Sequence, residues 1–205
     1  MKRQVLTILQ DAVLSALPQL HRIGNELVVL PLADFLRGFS FEPSSRGGGM
    51  YIWTLVQPLY IPSDSITYDF ARRLGGGTHL WDPADLSGLT ARVRSEGASY
   101  YEGFTSPDRF LHWSSLADED DESMLEARAY TLVRAGNFKD GVCALRAFAS
   151  LMPKEHVSEH DIARRDNAVR LAELGASSPQ AAIHQLDQWR AATIAALGLS
   201  DVGSD

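Results

Sequence analysis

The chain has 205 residues, 45% of them hydrophobic and 22% charged, which suits one medium domain or two small ones with a buried core. Its 26 acids against 19 Lys and Arg give a net charge of −7, which opposes a sequence-independent nucleic-acid surface. A single cysteine, Cys143, excludes an intramolecular disulfide or a cysteine-pair zinc site and fits a reducing compartment.

Val5, Leu9, Val13 and Leu17 recur at helical spacing, which predicts an amphipathic helix ending near Pro18. Gln10 and Asp11 interrupt the apolar run that a secretory leader requires. No stretch reaches the roughly 18 uncharged apolar residues of a membrane span, so a soluble, cytoplasmic protein is expected. Gly24-Asn25 signals a turn, and Leu27 to Leu32 is a short apolar run that Pro31 restricts to an edge strand. Asp34 to Arg37 fits one helical turn closed by Gly38, and Phe39 and Phe41 alternate as in a strand. Met50 to Val56 is the strongest strand candidate, and its apolar character on both faces predicts a central position. The segment Gln57 to Pro62 reads as an extended connection. Ile66, Tyr68 and Phe70 alternate with Thr67 and Asp69 as a half-buried strand. Gly47 to Gly49 and Gly75 to Gly77 read as turns, because neither cluster is followed by the Lys-Ser/Thr of a phosphate loop.

Asp82-Pro83 carries helix-start chemistry, and Gly88 and Gly97 weaken the helix predicted from Leu86 to Tyr101. Ser106-Pro107 opens a short helix bearing Phe110, Leu111 and Trp113, and three or four helices follow from Met124 to Leu199. The expected fold class is α+β: an N-terminal helix and a small, mainly antiparallel sheet of three or four strands over residues 1–82, then a bundle of helical hairpins over 83–205. Each half is too small to bury its own faces well, so the helices are expected to pack on the sheet in one cooperative domain. Charge divides along the same line. Residues 1–98 hold nine bases and nine acids, whereas the remainder holds ten bases and 17 acids.

From Met124 to Pro153 the chain resembles one helix-turn-helix unit of the tetratricopeptide type. Gly136-Asn137-Phe138 stands at its turn, Leu145 and Phe148 at packing positions of its second helix, and Pro153 at its end. Gly141 and Arg128 depart from that pattern, and the next turn, at Gly175 to Pro179, comes 39 residues later rather than about 34. The layout is also similar to small bacterial proteins of toxin-immunity and defence loci, which join an α+β unit to acidic helices.

His156-Val157-Ser158-Glu159-His160 matches the H-x-x-E-H pattern of inverted zinc peptidases. On a helix His156 and His160 share a face that can hold Zn²⁺ while Glu159 activates its water. Only 45 residues follow His160, too few for the distant third ligand of that family, so a solvated helix start is the expected reading. Cys143, among Ala144, Leu145 and Ala147, is expected to be a buried, inert thiol. Arg164 and Arg165 are expected to pair with Asp161 and Asp166, and Trp81 with His79 to line either the core or a groove.

Asp118, Glu119, Asp120, Asp121 and Glu122 form the strongest charge run. It suits either a solvated loop whose Asp121 or Ser123 caps the next helix, or an electrostatic landing site for a basic partner. Together these features predict a non-enzymatic, cofactor-free module that binds a basic protein partner, as in an immunity or antitoxin role, without nucleic acid or membrane. The alternatives are a small metal-dependent hydrolase using His156, Glu159 and His160, and a structural or assembly subunit.

Overall fold

The computed structural model describes residues 2–45, 49–76, 79–116, 121–152 and 158–200. The α+β class is observed, as an N-terminal helix, a five-stranded antiparallel sheet and then helices. The chain divides into two compact units, Met1–Gln57 with Ser65–Thr105 and Leu197–Asp205, and Pro58–Asp64 with Ser106–Ala196.

In the first unit, helix α1 (Lys2–Ala16) buries Leu9 and Val13, as its spacing predicts, together with Ala16, while Val5 is half-buried. The sheet runs in chain order: β1 (Leu20–Ile23), β2 (Glu26–Val29), β3 (Phe35–Pro43), β4 (Met50–Pro58) and β5 (Arg72–Arg73). Gly24, with φ of +59°, makes the tight turn between β1 and β2. Three expectations are corrected here. The run at Leu27 forms an interior strand, because β1 takes the edge and Pro31 falls beyond the strand end. Asp34 to Arg37 contains no helical turn: Phe35, Leu36, Phe39 and Phe41 are all buried, and β3 uses both faces. Ile66 to Phe70 is not a strand, although Phe70 is buried and its carbonyl accepts a hydrogen bond from the Tyr100 hydroxyl at 3.0 Å.

Asp82 caps a 3₁₀ turn at Pro83–Asp85, and Asp85 caps α2 (Leu86–Arg92) by accepting from the Gly88 N–H. A π-helical turn (Val93–Ala98) then leads into α3 (Ser99–Glu102). Gly97 weakens the helix for a packing reason. A Cβ there would lie 2.5 Å from Cε1 of Phe39, whose ring meets Tyr101 edge-on at 5.7 Å. Trp81 belongs to the core, with its indole N–H donating to the Leu74 carbonyl and its ring 4.2 Å from that of His79.

The second unit contains α4 (Pro107–Leu116), α5 (Glu122–Arg134), α6 (Phe138–Leu151), α7 (Glu159–Ser177) and α8 (Pro179–Ala196). Consecutive helices from α5 to α8 pack on one another, and α8 returns to α5, closing a four-helix ring. Met124, Tyr130, Leu145, Phe148, Leu171 and Leu186 fill it. Arg134 pairs with Asp187 at 2.7 Å and the Tyr130 and Trp189 rings lie 5.9 Å apart, which pins the α5–α8 seam. The strap Pro58–Asp64 joins this unit through the Tyr60 hydroxyl, 2.7 Å from Thr131 Oγ1, and through Thr193, which donates to the Ile61 carbonyl. Among the described residues no helix is long and apolar enough to cross a membrane.

Candidate functional site

The acidic run enters the structure at Asp121. This residue is extended, and its carboxylate accepts the Met124 N–H at 2.7 Å, so it supplies the cap that its position predicts. Asp118, Glu119 and Asp120 lie outside the described residues. Ser158 does the same for α7, accepting the Asp161 N–H at 3.1 Å while its hydroxyl donates to the Asp161 carboxylate at 2.7 Å. Both first turns are acidic, with Glu122 on α5 and Glu159 and Asp161 on α7, as the positive end of a helix dipole favours.

Arg164 joins these two helix starts. Its guanidinium reaches Glu122 at 2.6 Å, Glu126 at 2.7 and 2.9 Å, and Asp161 at 3.8 Å. Its plane also lies 5.4 Å from the Phe148 ring centroid. The predicted pairing with Asp161 is therefore the longest of the set, and the dominant partner, Glu126, sits one turn beyond the acidic run. Spacing along α7 identifies Asp161, but only the α5–α7 approach reveals Glu126. Arg165 pairs with Asp166 at 3.3 Å, as expected.

Burial pushes the Glu126 carboxyl above its ordinary value, and the hydrogen bonds and charge of Arg164 offset part of that rise. For Arg164 burial works downward, but Glu126 and then Glu122 hold the guanidinium above its usual value. The Ser158 hydroxyl is the main cause that holds half-buried Asp161 below the ordinary carboxylate range. Beneath the network the buried Tyr130 hydroxyl has no hydrogen-bond partner among the described residues. Burial first, and the Glu126 charge second, hold its phenol well above the normal range.

No family model, curated protein or solved structure matches the chain.

Glu159 and His160 are exposed at the start of α7, and His156 lies outside the described residues. Among the described residues no group of three or more His, Cys, Asp and Glu side chains is placed to hold a metal ion. Cys143 corrects an expectation. It is exposed rather than buried, because α6 turns Val142 and Leu145 inward and leaves position 143 on its outer face.

The Asp121 cap is separable from the acidic charge. Asp121→Ala is expected to cost about 1 kcal/mol of unfolding free energy in urea titration, whereas Asp121→Ser, which keeps a capping oxygen, costs only a few tenths. Equal losses from both would assign the effect to charge.

Proposed function

We propose that the chain is a non-enzymatic protein-interaction module that receives a basic protein partner at the acidic end of its second unit. The carrying observation is the convergence of two helix starts. Glu122, Glu126 and Asp161 gather around one guanidinium, Asp121 and Glu159 stand at the same two helix starts, and Asp118 to Asp120 directly precede Asp121 in the chain. The whole unit agrees in sign, with 15 acids against ten Lys and Arg. Such a surface accelerates association with a cationic partner and rejects anionic ones more than it adds affinity. Arg164 fixes the positions of the acids beforehand, which lowers the ordering cost at contact. The tetratricopeptide-like hairpin α5–α6 and the bacterial immunity or antitoxin layout fit this reading, as does a cytoplasmic location.

The test is a pull-down from the native host at low and moderate salt, with the triple variant Asp118→Asn, Glu119→Gln, Asp120→Asn in parallel. The expected result is one basic protein near stoichiometry whose recovery falls with salt and falls several-fold in the variant. Recovery that is indifferent to both salt and the triple variant would overturn the proposal.

A further inference from the structure

Away from the acidic end, the second unit carries a groove of opposite sign. One side is the first two turns of α6 and the other is the last turn of α7. Its volume is about 450 Å³, inside the roughly 300–1,000 Å³ of small-molecule sites. A second hollow of about 300 Å³ shares Phe138 and is otherwise lined by Pro179, Gln180 and Ile183 of α8.

The helical repeat sorts the α6 wall into two stripes. Phe138 and Val142, four apart, form an apolar stripe, and Lys139, Cys143 and Arg146 form a polar one beside it. On α7 the small residues Gly175 and Ala176 complete the lining. Gly175 lets the helices approach closely, since a Cβ there would lie 2.9 Å from Cγ2 of Val142. Among the described residues the charged side chains lining the groove are the two cations, in a unit where acids outnumber bases by 15 to ten. Asp140, the nearest acid on α6 by position, lies outside the lining.

A cationic edge beside an apolar wall selects a ligand with one anionic head and an apolar body. We infer that this groove binds a small amphipathic carboxylate, its chain or ring against Phe138, Val142 and Ala176 and its carboxylate on Lys139 and Arg146. The acidic end already described has the reverse preference, so this site stands or falls independently of the proposed partner.

Cys143 supplies the readout, because it is the single cysteine of the chain and is exposed within the groove. Octanoate is the probe, with 1-octanol and acetate as matched controls for the chain and the head. At about four times its Kd, octanoate should slow iodoacetamide alkylation of Cys143 about five-fold, the factor 1 + [L]/Kd for a blocked site. Octanol and acetate at the same concentration should leave the rate nearly unchanged. The double variant Lys139→Gln, Arg146→Gln should lose the octanoate protection while keeping its circular dichroism, and Arg146→Gln alone serves if the double variant unfolds. Equal protection by octanol, undiminished protection in the variant, or no protection by octanoate below its micelle concentration would each overturn the inference.

Discussion

Gly38→Ala is expected to destabilise the first unit by more than about 3 kcal/mol, beyond the ordinary range for a single substitution. Gly38 pairs with Val28 across β2 and β3, and its φ of +155° is a conformation that residues with a side chain rarely adopt. An added Cβ would overlap the Leu27 carbonyl oxygen and stand 2.9 Å from the Leu27 carbonyl carbon and the Val28 Cα. All three are backbone atoms, so no rotamer change relieves the clash, and the β2–β3 ladder has to open. Leu27, Val28 and Phe39 are fully buried at that seam, and each would lose packing. Gly76→Ala is the control. Its φ of +71° is also unfavourable, yet among the described residues nothing lies within 4 Å of the added carbon, so it should cost only the roughly 1–2 kcal/mol of left-handed strain. Both values come from urea unfolding, and a Gly38→Ala loss no larger than that of Gly76→Ala would contradict the close approach.

The same glycine shows why part of the sheet was hidden in the sequence. In β3 the residues Phe35, Leu36, Phe39, Ser40 and Phe41 are all buried, so the period of two that betrays a half-exposed strand is missing. Gly38 then reads as a helix stop when it is a point of backbone contact. Ile66 to Phe70 fails in the opposite way. The alternation is present in the sequence, but of Ile66, Tyr68 and Phe70 only Phe70 is buried and Tyr68 is exposed, and β5 occupies the edge at Arg72–Arg73, pairing with Trp53 and Thr54. Where local chemistry and tertiary demand agree, the reading held. The first helix, the Gly24 turn, the strand predicted at Met50 to Val56, which runs to Pro58, and the Asp82 and Asp121 caps all lie where their residues predict.

Of the acidic site, the Asp121 cap and the i,i+3 pair of Asp161 with Arg164 are legible in the sequence, because both are contacts within a single helix turn, whereas the Ser158 cap is not among the sequence expectations. Glu126 is not legible either. It is one acid on an otherwise ordinary helix, and its burial depends on Arg164 arriving from α7, 38 residues away. Cys143 was misplaced for a related reason. Its small apolar neighbours suggest a core stripe, but Gly141, Val142 and Leu145 are the residues that face inward.

Arg164→Ala should be the most damaging change in the second unit, at about 3–5 kcal/mol, because it leaves Glu126 buried without its partner. The side chains of Arg164 and Glu126 are only 18% and 9% exposed, so solvent offers little screening in compensation. The pH dependence identifies the group responsible. Burial raises the folded-state value of Glu126 above its unfolded one. Between the two values the native chain holds a proton that the unfolded chain has released, so stability falls as pH rises through that window. Removing Arg164 deletes the two largest influences that lower the Glu126 value and extends the window upward. The deficit of Arg164→Ala relative to the unsubstituted chain should therefore shrink on going from about pH 7 to about pH 5. In Arg164→Ala, Glu126→Gln that recovery should vanish, since the amide has no proton to gain, and most of the stability lost at neutral pH should return. A recovery that persisted in the double variant would assign the effect to another carboxylate, and an Arg164→Ala loss below about 1 kcal/mol would place the pair in the class of exposed salt bridges.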